Sequence, residues 1–257
     1  MSDQFVLETR GLVKEFKGFV AVDDVNLKVQ RGHIHALIGP NGAGKTTVFN
    51  LLTKFLPPTR GTILFNGKDI TSLKSAAIAR RGVVRSFQIS AVFPHMTALE
   101  NIRVALQSFE GNSFQFWKSG HSLNKLNERC MELLDSVGLT EFANTTTVEL
   151  AYGRKRALEL ATTLAMEPEL LLLDEPTQGV GGEDVERVVE LVRKAAEGRT
   201  VLMVEHNLGV VSKLCDRITV LAQGSVLTEG EYKEVSEDPR VREVYMGSAN
   251  TTQEAVE

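Results

Sequence analysis

Several things are scarce or missing in this chain, and each shortage closes off a class of protein. Cysteine occurs twice in 257 residues, as Cys130 and Cys215, with neither CxxC nor Cys/His metal-ligand spacing. A disulfide framework and a zinc module are excluded, a reducing compartment fits, and both residues read as buried or inert thiols. Positive charge is not in surplus: 29 Lys plus Arg stand against 33 Asp plus Glu, a net charge of -4. The chain therefore has no general attraction for nucleic acid or anionic lipid, so phosphate binding must be local and no nucleic-acid partner is expected. No apolar run approaches the roughly 18 residues of a membrane span. The opening MSDQFVLETR has neither a basic n-region nor an apolar h-region. The chain is expected in the cytoplasm, peripheral on the inner (cell) membrane only through a partner. Apolar content, by contrast, is ample at 42%, enough for one large α/β domain or a domain with a subdomain inserted.

Along the chain the hydrophobic pattern changes twice. The first 70 or so residues carry short apolar runs bounded by turns, such as HIHALIG and GTILFNGKDI, with Asn66-Gly67 as a two-residue hairpin signal. From about 74 to 166 the spacing is helical, with Leu99, Ile102 and Leu106 and then Leu133, Leu134 and Val137 on apolar stripes. An inserted helical subdomain is expected at about 90–166. Buried-type strands return as LLLLDE and TVLMVEH, separated by a helix through VERVVELVRKAAEG that ends at Gly198. Strand, helix, strand in that order implies a parallel sheet. SFEGNSFQFWKSGHS reads as a loop insertion with Trp117 as a local anchor, and residues 248–257 are expected to be frayed.

The strongest chemical signal lies in HIHALIGPNGAGKTT, a strand followed by Gly39, Gly44, Lys45 and Thr46 in the spacing GxxxxGK[ST], and then by the helix TTVFNLLTKFL. Glycines let the backbone wrap around phosphates, amide N–H groups donate to them, and a helix N-terminus adds positive partial charge. Pro40, Asn41, Gly42, Ala43 and Thr47 complete the cradle. Lys45 is expected to reach the β and γ phosphates, and the Thr46 hydroxyl to ligate Mg²⁺. LLLLDEPT brings Asp174 and Glu175 to the C-terminal end of a buried strand, where α/β sheets place ligands. Asp174 is expected to hold Mg²⁺ through water, and Glu175 to polarise the attacking water.

Taken in order, GPNGAGKTT, Gln88 in RSFQ, LAYGRKR, LLLLDEP and His206 in VEHN resemble the motifs of the ABC-type ATPases over nearly all of residues 6–247. That resemblance implies an α/β P-loop NTPase (RecA-like) core with an N-terminal antiparallel β subdomain and the inserted helical subdomain, making residues 1–247 one ATPase domain. It implies ATP and Mg²⁺ as cofactors and two subunits that sandwich two ATP molecules, each phosphate loop facing the partner's signature motif. Phe16 then takes the place of the residue that stacks on adenine; the other reading is a core phenylalanine. Gln88 joins the Mg²⁺ and water shell and senses the membrane subunit, while His206 contacts the γ-phosphate. Leu150, Ala151, Tyr152 and Gly153 form the signature.

Two departures from the family pattern touch residues that carry weight. The usual signature serine is Ala151, and the usual D-loop aspartate aligns with Gly181.

Within the family, LAYGRKRALEL, VEHN and the ending DPRVREVYMG resemble the ATPases of branched-chain amino acid importers. That resemblance implies two different ATPases paired with two permeases and a periplasmic or extracellular substrate-binding protein, while for this chain the second ATPase, a copy or a relative, stays open. ATPases of urea or amide importers and of lipopolysaccharide export resemble it as well. A non-transport ABC ATPase of DNA repair or translation usually brings tandem cassettes, zinc-binding cysteines, coiled coils or basic arms, and none appears. A small-molecule kinase accounts for Lys45 and Asp174 but not for LAYG or His206.

Overall fold

Strands whose faces see different surroundings sort into two sheets in the computed structural model, which describes residues 4–86, 92–109 and 120–251. The elements follow in chain order as β1 (Phe5–Phe16), β2 (Phe19–Val25), β3 (Lys28–Gln30), β4 (Ile34–Ile38), α1 (Lys45–Leu52), β5 (Arg60–Phe65) and β6 (Lys68–Asp69). After these come α2 (Ser75–Ala79), β7 (Val83–Ser86), α3 (Ala98–Phe109), α4 (Gly120–Ser136), α5 (Tyr152–Leu164) and β8 (Leu170–Asp174). The chain then runs through α6 (Gly182–Ala196), β9 (Thr200–Val204), α7 (Leu208–Leu214), β10 (Arg217–Ala222), β11 (Ser225–Gly230), α8 (Tyr232–Glu237) and α9 (Pro239–Thr251).

The first sheet is antiparallel around β1, which pairs with β2, β3 and β5, and β6 folds back on β5. Asn66 and Gly67 turn that last hairpin with φ of 49 and 70, the doubly positive geometry for which Asn-Gly is suited. The second sheet runs β11-β10-β4-β9-β8-β7, all parallel except β11. Its inner strands IHALI, LLLLD and TVLMV are buried at every position, because each is covered on both faces.

Alternation along those strands feeds two cores. Leu37, Leu170, Leu172, Leu202 and Val204 pack with Val48, Phe49 and Leu52 of α1 and with the antiparallel sheet. Ala36, Leu171, Leu173, Val201 and Met203 pack instead under α3, α4, α5 and α6. A fully buried leucine contributes about 1.5–3 kcal/mol relative to exposure, so these strands supply much of the core's burial energy. His35, also in β4, is a core histidine: its Nε2 lies 2.8 Å from the Thr219 hydroxyl, and burial pushes the imidazole down to about 4. Burial likewise pushes the Cys130 and Cys215 thiols up to about 11 and about 12, which fits the inert reading.

One expectation needs correction. Within the stretch read as helical from 74, Val83–Ser86 is the edge strand β7, parallel to β8. Four residues are too few to set a period, and the strand is defined by its neighbour. At the C-terminal end α9 continues to Thr251, and residues 252–257 lie outside the described residues. Trp117 and most of the expected loop insertion lie outside the described residues.

Candidate nucleotide site

The C-terminal ends of three adjacent strands meet at one edge of the parallel sheet: β4 leads into Gly39, β8 into Glu175 and β9 into Glu205 and His206. Register places Asp174 beside Val204, so His206 emerges next to the strand that carries the carboxylates, as its position after an apolar strand predicts.

Backbone crowding explains two glycines of the phosphate loop. A Cβ at Gly39 would sit 2.2 Å from the Leu221 carbonyl oxygen, and one at Gly44 would sit 2.6 Å from that of Ala21. With φ of 150 and 97, both positions lie in conformations that other residues rarely adopt. Helix α1 begins at Lys45 directly behind them. The Lys45 side chain is buried and folds over the loop, with Nζ donating to the Gly39 and Pro40 carbonyls at 2.8 Å each. Burial lowers its ammonium below the usual lysine range, while Glu175 and Asp174 act in the opposite sense. Thr46 is exposed at the helix start, Thr47 is half-buried beside it, and Asn41 and Gly42 are exposed on the loop. The Ala43 side is pinned to the sheet edge by Gly224 N–H donating to its carbonyl at 3.2 Å.

Glu175 leaves β8 with φ 49, a left-handed turn that costs roughly 1–3 kcal/mol and is held by its own N–H to the Val204 carbonyl at 2.9 Å. The turn brings its Oε1 to 2.5 Å from His206 Nε2. A carboxylate and an imidazole in direct contact, beside a lysine and a helix N-terminus, can polarise a water against a bound phosphate.

No group of three or more His, Cys, Asp or Glu suited to a metal occurs among the described residues. A buried Asp174 and a hydroxyl at Thr46 suit Mg²⁺, an ion that binds one or two protein oxygens and takes its remaining ligands from phosphate and water. Gln88, expected in that shell, lies outside the described residues.

Phe16 is 40% exposed and pairs with Phe19 at the turn end of the β1–β2 hairpin, which removes the core reading. Strand β2 passes the phosphate loop, where Ala21 abuts Gly44. At the signature, Ala151 is the N-cap of α5 and offers no side-chain bond to the helix's first amides. Leu150 is buried, and Gly153 has open space where a Cβ would project. The Tyr152 hydroxyl donates to the Gln178 carbonyl at 2.9 Å, joining α5 to the loop that follows Glu175. Arg156 donates to the same hydroxyl at 3.0 Å and is fixed by Glu159 at 2.9 Å.

Two residues passed over in the sequence prove tied to this edge. Glu205, only 2% exposed, accepts from the Thr177 amide at 3.0 Å and its hydroxyl, and from the amides of His206 at 2.8 Å and Asn207 at 3.0 Å. It bridges the segments that carry Glu175 and His206. A carboxylate ending the apolar run TVLMVE was the signal available. Arg85 of β7, a lone cation in VVRSF, forms a buried ion pair with Asp174.

A phosphate loop, paired acids at a strand end, an adjacent histidine and a helix N-terminus on this two-sheet frame define an ATPase cassette. The family model described as ABC transporter matches residues 22–178, and the chain belongs to that family as one of its ATP-binding, ATP-hydrolysing cassettes. The high-affinity branched-chain amino acid transport ATP-binding protein BraF of Pseudomonas aeruginosa is 40% identical over 251 residues, 95% of this chain and 98% of BraF. LivG of Escherichia coli K12, described in the same words, is 39% identical over 253 residues, covering 96% and 99%. Among solved structures, the ADP conformation of MJ1267, an ATP-binding cassette of an ABC transporter, has a TM-score of 0.82 at 30% identity over 95% of this chain and 99% of that one.

Proposed function

We propose that this chain is the ATPase subunit of a branched-chain amino acid importer, acting at the cytoplasmic face of a membrane on permease subunits served by a substrate-binding protein. Support comes above all from the contact between Glu175 and His206 beside the phosphate loop, on a chain matched nearly end to end by two such transport proteins. No helix among the described residues is long and apolar enough to cross a membrane, so transport requires a partner that spans it. Deleting the gene and measuring leucine uptake tests the reading. Uptake should fall and return with the wild-type gene but not with Lys45→Ala. Unchanged leucine uptake, with loss of urea or amide uptake or of lipopolysaccharide export, would reassign the cargo.

In the proposed mechanism the Lys45 ammonium turns from the Gly39 and Pro40 carbonyls to β and γ phosphate oxygens. Thr46, Asp174 and Gln88 would hold Mg²⁺, which when bound would supply neutralisation of phosphate charge. Glu175 takes a proton from the attacking water as that water moves in line, and His206 orients Glu175 while touching the γ-phosphate. Phe16 stacks on the base. The signature of a second ATPase subunit, a copy of this chain or a related one, closes over the nucleotide.

Glu205 sets the geometry of the pair. Glu205→Gln places an NH₂ where at least one of the accepted bonds ends. The dyad then shifts, and kcat should fall about 10²-fold, the effect of a misplacement near 1 Å, with KM for ATP near the wild-type value. Phosphate release against ATP concentration measures both, and unchanged kcat would remove Glu205 from this role.

The permease is proposed to dock in an apolar groove of about 290 Å³ lined by Phe55, Ile78, Val84, Phe93, Val104 and Met166. Phe93 is 50% exposed, and its backbone is anchored at both polar atoms by Asn101, with N–H to Oδ1 at 2.7 Å and Nδ2 to the carbonyl at 3.1 Å. Pro94 and Met96, exposed beside Phe93, are not among the lining residues. An amphipathic permease helix suits such a site. Phe93→Glu should abolish uptake while the isolated chain keeps its ATPase rate and its melting temperature; loss of folding would instead make Phe93 a packing residue.

A further inference from the structure

Arg85 and Asp174 form a buried pair, with side chains 10% and 2% exposed, across the neighbouring strands β7 and β8. The guanidinium is held from three sides. One nitrogen takes Asp174 Oδ2, another donates to Asn50 Oδ1 of α1 at 2.7 Å, and the Phe49 ring centroid lies 5.7 Å from its carbon. Its Nε is buried with no hydrogen-bond partner among the described residues. A buried ion pair adds little net stability over well-packed apolar residues, and an unpaired buried N–H is a further cost. The arrangement is therefore not explained by stability, and Asp174 is the residue assigned above to Mg²⁺.

We propose that Arg85 is the resident counter-ion of the Mg²⁺ carboxylate. It holds the Asp174 carboxylate in place through Oδ2 when no metal is present. Lys45 cannot do this throughout the cycle, because it is committed to phosphate once nucleotide binds, whereas Arg85 remains on its strand. Mg²⁺ brings a second cation to the same carboxylate, so Arg85 and the metal oppose one another. The guanidinium stabilises the metal-free protein and weakens metal binding. The inference rests on the nucleotide reading proposed above.

Melting temperatures of the full chain, in a Glu175→Gln background that prevents turnover, test it without reference to activity. Each variant is melted alone, with ATP and EDTA, and with ATP over a Mg²⁺ titration. Arg85→Gln should melt about 6 °C or more below its parent without ligand, since breaking a buried pair strands Asp174. ATP with Mg²⁺ should recover most of that deficit, ATP with EDTA should not, and half-saturating Mg²⁺ should fall several-fold. Asp174→Asn should also be destabilised, and adding Arg85→Gln to it should restore stability, a comparison that holds even if Arg85→Gln alone fails to fold. Equal Mg²⁺·ATP responses in Arg85→Gln and its parent, or a double variant no more stable than Asp174→Asn, would overturn the counter-ion role. A parent that does not respond to ATP at all would overturn the nucleotide reading itself.

Discussion

Glu175→Gln should bind ATP nearly as well as the wild type, lose about 10² to 10⁴-fold in turnover and accumulate as a closed, ATP-bound pair. Binding is assigned to the phosphate-loop amides, the α1 N-terminus and Lys45, none of which bonds the Glu175 carboxylate directly. Glutamine is close to isosteric, and the backbone bond from residue 175 to the Val204 carbonyl does not depend on the side chain. What disappears is a carboxylate able to accept a proton, and with it the charge that faces His206 Nε2 at 2.5 Å. Glutamine is preferable to alanine as a probe, because its side-chain carbonyl can still meet the imidazole. Phosphate release, ATP affinity and size-exclusion chromatography with ATP read the three parts separately. Phosphate release within a few-fold of wild type would remove Glu175 as the group that activates water.

Gly153→Asp should bind ATP normally, fail to pair when ATP is added and hydrolyse little by itself. If α5 points its N-terminus at the γ-phosphate held by the opposite subunit, the attraction comes from backbone N–H groups and the helix dipole. Ala151 at the N-cap contributes no hydroxyl and leaves those amides uncapped by a side chain. A terminal dipole contributes about 0.3–1 kcal/mol when exposed and up to about 2 when partly buried, which a neighbouring carboxylate readily reverses. A Cβ at Gly153 meets nothing within 4 Å, so aspartate fits the isolated chain and the phosphate loop of the same chain is untouched. A folded variant that cannot pair therefore reports on the interface. Charge reversal at Arg154 should have a smaller effect, since that guanidinium lies 4.0 Å from the Phe142 ring centroid. The experiment combines ATP affinity, phosphate release and ATP-dependent pairing in the Glu175→Gln background. Normal pairing and hydrolysis by Gly153→Asp would take the signature out of any composite site.

How much of this was legible beforehand depended on whether the physics is local. The phosphate loop could be read because its demands fall on consecutive residues: the carbonyls of Leu221 and Ala21 leave no room for a Cβ at Gly39 and Gly44. β4, β8 and β9 could be read because a strand covered on both faces must be apolar at every position. β7 could not, since its four residues are a strand only by virtue of lying against β8. Arg85 and Glu205 were missed for a related reason. Their partners, Asp174 and Thr177, come from other strand ends 89 and 28 residues away, brought within reach by the strand order β4-β9-β8-β7. The sequence states which residues are present but not which strand will be next to which.

The hydroxyl of Tyr152 on the Gln178 carbonyl has a consequence for timing. Residue 152 opens the helix proposed to face one nucleotide of a pair, and residue 178 lies three positions after the glutamate proposed to act on the other. In the proposed pair this bond would tie the two half-sites of one chain together. When α5 is drawn toward the partner's nucleotide, the segment containing Glu175 is carried with it, so readiness to cleave at one site is phased to closure at the other. Arg156 and Glu159 brace the tyrosine that would carry this coupling.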